Sequence, residues 1–114
     1  LLALAASVAM TALGKQGVRE MAKQNIVKTR YAKNAFEAAG FTVAFQGAHF
    51  NEIVVKMNKS VTEINKGLLQ KGIIGGLDLG HFYSELENHA LIAVTELRTK
   101  EEIDALVAEM GALQ

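Results

Sequence analysis

The chain has 114 residues, half of them apolar, and its 12 basic and 12 acidic side chains leave no formal net charge. Such a chain supports one domain with a real core and excludes a global bias toward nucleic acid or an anionic membrane. The absence of cysteine excludes disulfides, a thiol nucleophile and cysteine metal sites, and is compatible with the reducing cytoplasm, the compartment expected here.

The opening LLALAASVAMTAL is almost wholly apolar and predicts a helix from Leu2 to about Ala12 that needs a neighbour to cover it. No basic region precedes it and it is too short to span a bilayer, so neither signal peptide nor membrane anchor is expected. The sequence reads better as part of a longer polypeptide, with residues 1–13 leaving an apolar patch through which the piece self-associates.

Gly14 and Gly17 punctuate the chain before a long helix over about Lys15–Ala39. Its apolar positions are Val18, Met21, Ala22, Ile26, Ala32, Phe36 and Ala39, and Gly40 ends it in a left-handed turn. Lys15, Arg19 and Lys23 share one face at four-residue spacing, with Lys28, Arg30 and Lys33 further along. Nucleic acid is not expected, since Tyr31 alone supplies an aromatic ring; the face is either solvated or meets an acidic protein.

Phe41–Phe45 and Asn51–Met57 alternate with period two, Ile53, Val55 and Met57 sharing a face, and Gln46–His49 turns between them, so an antiparallel pair is predicted. Ser60-Val61-Thr62-Glu63 has the pattern of a capping box, opening a helix whose buried stripe is Val61, Ile64 and Leu68. Gly72 closes that helix before a short apolar strand, Ile73–Ile74. After a loop, Ala90–Val94 reads as a central strand buried on both faces. Thr99–Glu102 is a second capping box, starting a helix with Ile103, Leu106, Val107 and Met110 on its inner side. The expected fold is α+β, a two-layer sandwich with a small, mostly antiparallel sheet and helices on one face. We read residues 1–114 as a single domain, with N-terminal helices over 1–40 and an α/β core over 41–114.

The glycine-rich loop Gly72–Gly80 invites comparison with a phosphate cradle, but it lacks GxGxxG and a following Lys-Ser/Thr, and reads better as a turn. His81, Glu85, Glu87 and His89 are metal-ligand types whose spacing fits no zinc pattern, so no metal is expected. His81 is a lone imidazole without a visible partner. Glu96 and Arg98 follow the central strand and form either an exposed ion pair or part of a site. Asn51 and Glu52 pose the same choice between a cleft and the outer sheet face. The serines lie in no nucleophile context.

The order GGLDLGHFYSELEN, then a strand, then VTELRTKEEID resembles the C-terminal end of subunit 1 in the two-subunit P-protein family of the glycine cleavage system. Phe50–Val55 and Leu13–Glu20 extend the likeness over nearly the whole chain. The resemblance implies the small C-terminal domain of a fold-type I pyridoxal phosphate enzyme that decarboxylates glycine and passes the aminomethyl group to the lipoyl H-protein. It also implies that pyridoxal phosphate is held by the partner, subunit 2, since no lysine here follows a histidine as the family's cofactor lysine does. On this reading no residue of the chain is catalytic or cofactor-binding, and the fragment alone is inactive. The candidates for lining the cleft are Asn51, Glu52, Gly75, Gly76, His81, Tyr83, Glu96 and Arg98. Two alternatives are the small domain of another fold-type I enzyme, such as a class V aminotransferase or cysteine desulfurase, and a free-standing ferredoxin-like binding module.

Overall fold

The computed structural model describes residues Leu1–Gln114. Three helices, α1 (Leu2–Ala38), α2 (Val61–Leu69) and α3 (Lys100–Leu113), accompany four strands, β1 (Thr42–Val43), β2 (Glu52–Lys56), β3 (Leu77–Asp78) and β4 (His89–Ala93). The sheet order is β1-β2-β4-β3 and every neighbouring pair is antiparallel. This is the expected α+β sandwich, with helices α1, α2 and α3 contributing to the core on one side of the sheet.

The β2–β4 register, with Ile53 opposite Ile92 and Val55 opposite Ala90, sends Ile53, Val55, Met57, Ala90, Ile92 and Val94 to one face. They meet Ala32 and Phe36 of α1, Val61, Ile64 and Leu68 of α2, and Ile103, Val107 and Met110 of α3. Phe36, fully buried, stands edge-on to Phe41 with ring centroids 5.2 Å apart. Burying one such side chain contributes roughly 2–3 kcal/mol. The Phe36–Phe41 pair fixes the corner where α1 turns into the sheet.

The predicted break near the N-terminus is real. Gly14 sits at φ 68 and ψ 177, dividing α1 into a leading segment and a longer one, as the separate helices of the sequence reading imply. Gly40 and Gly72 turn left-handed after α1 and α2, at φ 87 and φ 73.

Other expectations need correction. The buried stripe of α1 comprises Asn25, Thr29, Ala32 and Phe36, while Ile26 is 45% exposed. Two polar residues take the inner positions because the chain opposite them offers main-chain groups to bond. The short strand is not Ile73–Ile74 but Leu77–Asp78. Ile73 stays tied to the end of α2, its amide donating to the Leu68 carbonyl at 3.0 Å, and the chain enters the sheet only after Gly76. A β-carbon on Gly76 would lie 2.8 Å from the Leu91 carbonyl oxygen, so glycine permits the approach.

The Ser60 box does not form. Ser60 makes no side-chain cap, and the Glu63 amide bonds instead to the Ser60 carbonyl at 3.1 Å. The Thr99 box does form, in both directions. Strand β4 is buried on one face only: Ala90 and Ile92 are inside, Leu91 is half-buried and Ala93 exposed. Its solid apolar run misleads because the small Ala93 tolerates water, while Val54 and Leu91 cover only part of the outer face.

Candidate functional site

Antiparallel pairing brings the entry of β2 and the exit of β4 to the same end of the sheet. The Val94 amide donates to the Asn51 carbonyl at 2.8 Å, so Asn51 and Glu52 lie beside the connection that carries Glu96 and Arg98. Helix α1 holds that connection by its main chain. The Glu96 amide donates to Asn25 Oδ1 at 2.7 Å, the Thr29 hydroxyl donates to the Val94 carbonyl at 3.2 Å, and Lys28 Nζ donates to the Glu96 carbonyl. The Glu96 side chain is thereby aimed from a fixed backbone.

Arg98 pairs with Glu102 at 3.6 Å, not with Glu96, and both partners are about half exposed. Glu102 also accepts from the Thr99 amide at 2.9 Å and its own amide donates to the Thr99 hydroxyl at 3.2 Å. One carboxylate therefore caps α3 and orients the guanidinium. Behind Arg98 opens a cleft of about 620 Å³, walled by Ile74, Gly75 and Leu77 on one side and by Ala93 and Ile103 on the other. Its lining is mainly apolar, with Arg98 and Glu102 as the charged pair.

His81 and Tyr83 stand apart. Because β3 and β4 are antiparallel, the turns Leu79–His81 and Ser84–Leu86 gather at the His89 end of β4, some 13 Å of strand from Ala93 at about 3.3 Å per residue. His81 Nε2 lies 3.8 Å from Asp78 Oδ2, its side chain 70% exposed. Asp78 is engaged elsewhere, accepting from the Gly80 amide at 3.0 Å and the Thr62 hydroxyl at 3.1 Å. Tyr83 is exposed, and His89 Nδ1 faces the Glu87 carbonyl at 2.8 Å. Of the eight residues singled out, Gly75 and Arg98 line one cleft, Asn51, Glu52 and Glu96 lie at that same sheet end, Gly76 packs on Leu91, and His81 and Tyr83 lie at the other end.

The glycine loop acts as a turn and a close-packed entry, followed by a three-residue 3-10 turn rather than a helix able to hold an anion. No cluster of three or more His, Asp or Glu is positioned to hold a metal ion. The perturbed ionisable groups lie on α3. Lys100 Nζ reaches Asp104 Oδ2 at 2.5 Å and sits 5.2 Å from the centre of the Tyr31 ring, whose hydroxyl donates to Asp104 Oδ1 at 2.6 Å. Asp104 and then Tyr31 raise the Lys100 ammonium above the usual lysine value, while Lys100 and then Tyr31 hold the Asp104 carboxyl below its usual range. This fastens α1 to α3 and belongs to the scaffold.

Pyridoxal phosphate requires an enclosed lysine. No lysine lines the 620 Å³ cleft, the half-buried Lys28 is engaged by the Glu96 carbonyl and Lys33 by Gln46 at 2.8 Å, and the remaining lysines are exposed. The residues of this chain do not by themselves fit that cofactor. Sequence reasoning missed Asn25 and Thr29, whose only signal is a pair of polar residues at four-residue spacing around apolar ones, and read Lys28 as part of the basic side, whereas it bonds the Glu96 carbonyl.

The sequence model of the family described as glycine cleavage system P-protein matches residues 1–110. The chain is 85% identical over 113 residues to the probable glycine dehydrogenase (decarboxylating) subunit 1 of Lysinibacillus sphaericus (strain C3-41), covering 99% of this chain and 25% of that protein. It is 70% identical over 112 residues to the protein of the same name from Bacillus thuringiensis (strain Al Hakam), covering 98% and 25%. The chain thus spans about a quarter of the length of the curated relatives it matches. Its backbone is similar to a crystal structure of glycine decarboxylase (P-protein) of the glycine cleavage system in inhibitor-bound form, with a TM-score of 0.80 over 92% of this chain and 24% of that one. At 24% identity that likeness speaks for the fold.

Proposed function

The chain belongs to the glycine cleavage system P-protein family, and from that premise we propose that it is the C-terminal small domain of subunit 1 of a two-subunit glycine dehydrogenase (decarboxylating). The observation that carries this reading is the 85% identity to a protein named as that subunit, maintained over 99% of the chain. The assembled enzyme decarboxylates glycine and delivers the aminomethyl group to the lipoyl H-protein in the cytoplasm. Subunit 2 holds the pyridoxal phosphate, which supplies the electron sink for loss of carbon dioxide. No helix of the chain is long and apolar enough to cross a membrane.

The chain's own contribution is a wall and its orientation. Arg98, held by Glu102, presents a cation at the mouth of the apolar cleft, and the Asn25–Glu96 bond fixes the neighbouring connection. Asn51, Glu52, Gly75, Gly76 and Glu96 complete that sheet end, whereas His81 and Tyr83 lie at the opposite end of β4, outside this cleft.

The test is co-expression of full-length subunit 1 with subunit 2, followed by glycine-dependent exchange of carbon dioxide in the presence of lipoyl H-protein. Exchange is expected only when both subunits are present, and none from residues 1–114 alone. Exchange by the isolated chain, or by subunit 2 without subunit 1, overturns the reading.

A further inference from the structure

The function proposed above leaves the basic side of α1 unused. Helical spacing sets Lys15, Arg19, Lys23, Arg30 and Lys33 along one side, beside the buried stripe and not within it. From Lys15 to Arg30 this side runs about 23 Å at 1.5 Å per residue. Lys15, Arg19 and Arg30 are exposed and take part in no salt bridge. Lys23 lies 4.0 Å from Glu20, and Lys33 lies 4.0 Å from Glu37. Five cations thus face two acids along a surface whose whole chain has no net charge.

The surface has one shaped feature, at its C-terminal end. An open face of α1 carries Arg19, Glu20, Lys23, Ile26 and Val27, and a hollow of about 300 Å³ lies where Arg30 and Lys33 meet His49 of the β1–β2 connection. Ile26 lines both and is 45% exposed, with Val27 beside it at 43%. Cations around an apolar centre match the anatomy of a protein interface. Nucleic acid would call for a platform of stacking rings, and no Phe, Tyr or Trp lines either region.

We propose that this side of α1, from Lys15 to Lys33 with the His49 hollow, docks an acidic protein surface. Charge complementarity names the partner's chemistry: carboxylates spaced along about 20 Å, with one entering the hollow between Arg30 and His49 and an apolar side chain meeting Ile26.

The choice of probes rests on the function proposed above. Full-length subunit 1, wild type and with Arg19→Glu and Arg30→Glu together, is titrated with purified lipoyl H-protein and with subunit 2 at about 50 mM and about 500 mM salt. A charge-matched control carries Lys66→Glu and Lys71→Glu, at exposed positions remote in sequence from this face. The R19E/R30E variant is expected to bind one of the two proteins about tenfold more weakly at low salt, with the gap closing at high salt and the control unaffected. Equal affinity of variant and wild type for both proteins, an undiminished gap at high salt, or an equal loss in the control overturns the proposal. So does salt-dependent binding of heparin or phosphatidylserine vesicles with none to either protein. Assembly of wild type with subunit 2 alongside an unchanged variant refutes the docking surface alone. No binding to either protein refutes the subunit assignment as well.

Discussion

Asn25 shows what a single side chain does for this molecule. It sits at 8% exposure on a helix and receives the Glu96 amide, a residue 71 positions away. Asn25→Ala would leave that part-buried amide unpaired, and should cost about 1–3 kcal/mol in urea denaturation. Asn25→Asp, which keeps an acceptor, should recover most of the loss; equal losses in both would refute the hydrogen bond as the cause. A sequence does not display such a bond. Polar residues at helical spacing resemble a solvated face, and a donor 71 residues distant carries no local mark. Arg98 was easier to find because it lies in the short connection between a strand and a capped helix, yet its partner Glu102 was legible only as a cap. Gly75 and Arg98 share a cleft while His81 and Tyr83 do not, because a short strand between two glycine-flanked turns reverses which residues become neighbours.

Helix starts divide in the same way. Ser60–Glu63 and Thr99–Glu102 carry equivalent patterns, but only the second closes, with Thr99 at φ −88 and ψ 165 while Ser60 sits at φ −55 and ψ 129. Thr99→Ala should therefore cost about 1 kcal/mol and Ser60→Ala only a few tenths, compared by thermal melts. Matching losses would mean that Ser60 caps in solution. The fastening of α1 to α3 gives a pH dependence with a defined sign. Asp104 is depressed in the folded state, so its contribution is complete above the ordinary aspartate range and is lost as pH falls through the folded value. Lys100 is raised, so its share persists below the ordinary lysine value and vanishes only in strong alkali. Both groups are solvent-exposed, which keeps the effect small and sensitive to salt. Melting curves of wild type and Asp104→Asn should separate at neutral pH and converge in acid; a constant separation would show that charge plays no part. Strand identity was legible in β2 from the charged Glu52 and Lys56 at its ends, although Ile53, Val54 and Val55 between them are buried on both faces. In β4 a solid apolar run hid the difference between inner and outer faces, because residue type alone does not report which face a sheet leaves open.

At the scale of the whole molecule, fold class and element order followed from periodicity, since three amphipathic helices and a small antiparallel sheet have few ways to bury their apolar sides together. What the sequence also announced was an excess of apolar surface: Leu2, Leu4 and Val8 are 86%, 63% and 61% exposed, with Met10 and Leu13 about half so. We propose that this segment packs on the remainder of the full-length subunit and that residues 1–114 alone self-associate through it. Sedimentation of the 114-residue chain should show concentration-dependent oligomers, and Leu4→Lys with Val8→Lys should return it to monomer. A monomer at all concentrations without those substitutions would contradict this. Gly14 gives that segment a further property. At φ 68 and ψ 177 it occupies backbone geometry open almost only to glycine, and a β-carbon placed there would touch nothing within 4 Å. A side chain at Gly14 is therefore excluded by torsion and not by space, while Leu13 lies against Gly17 across the bend. It works as an elbow: a rod of about 18 Å, at 1.5 Å per residue, takes its aim from one residue. Because residues 2–13 contribute no side chain to the buried core, the direction in which this domain reaches toward its neighbour can change by substitution at the bend without disturbing that core.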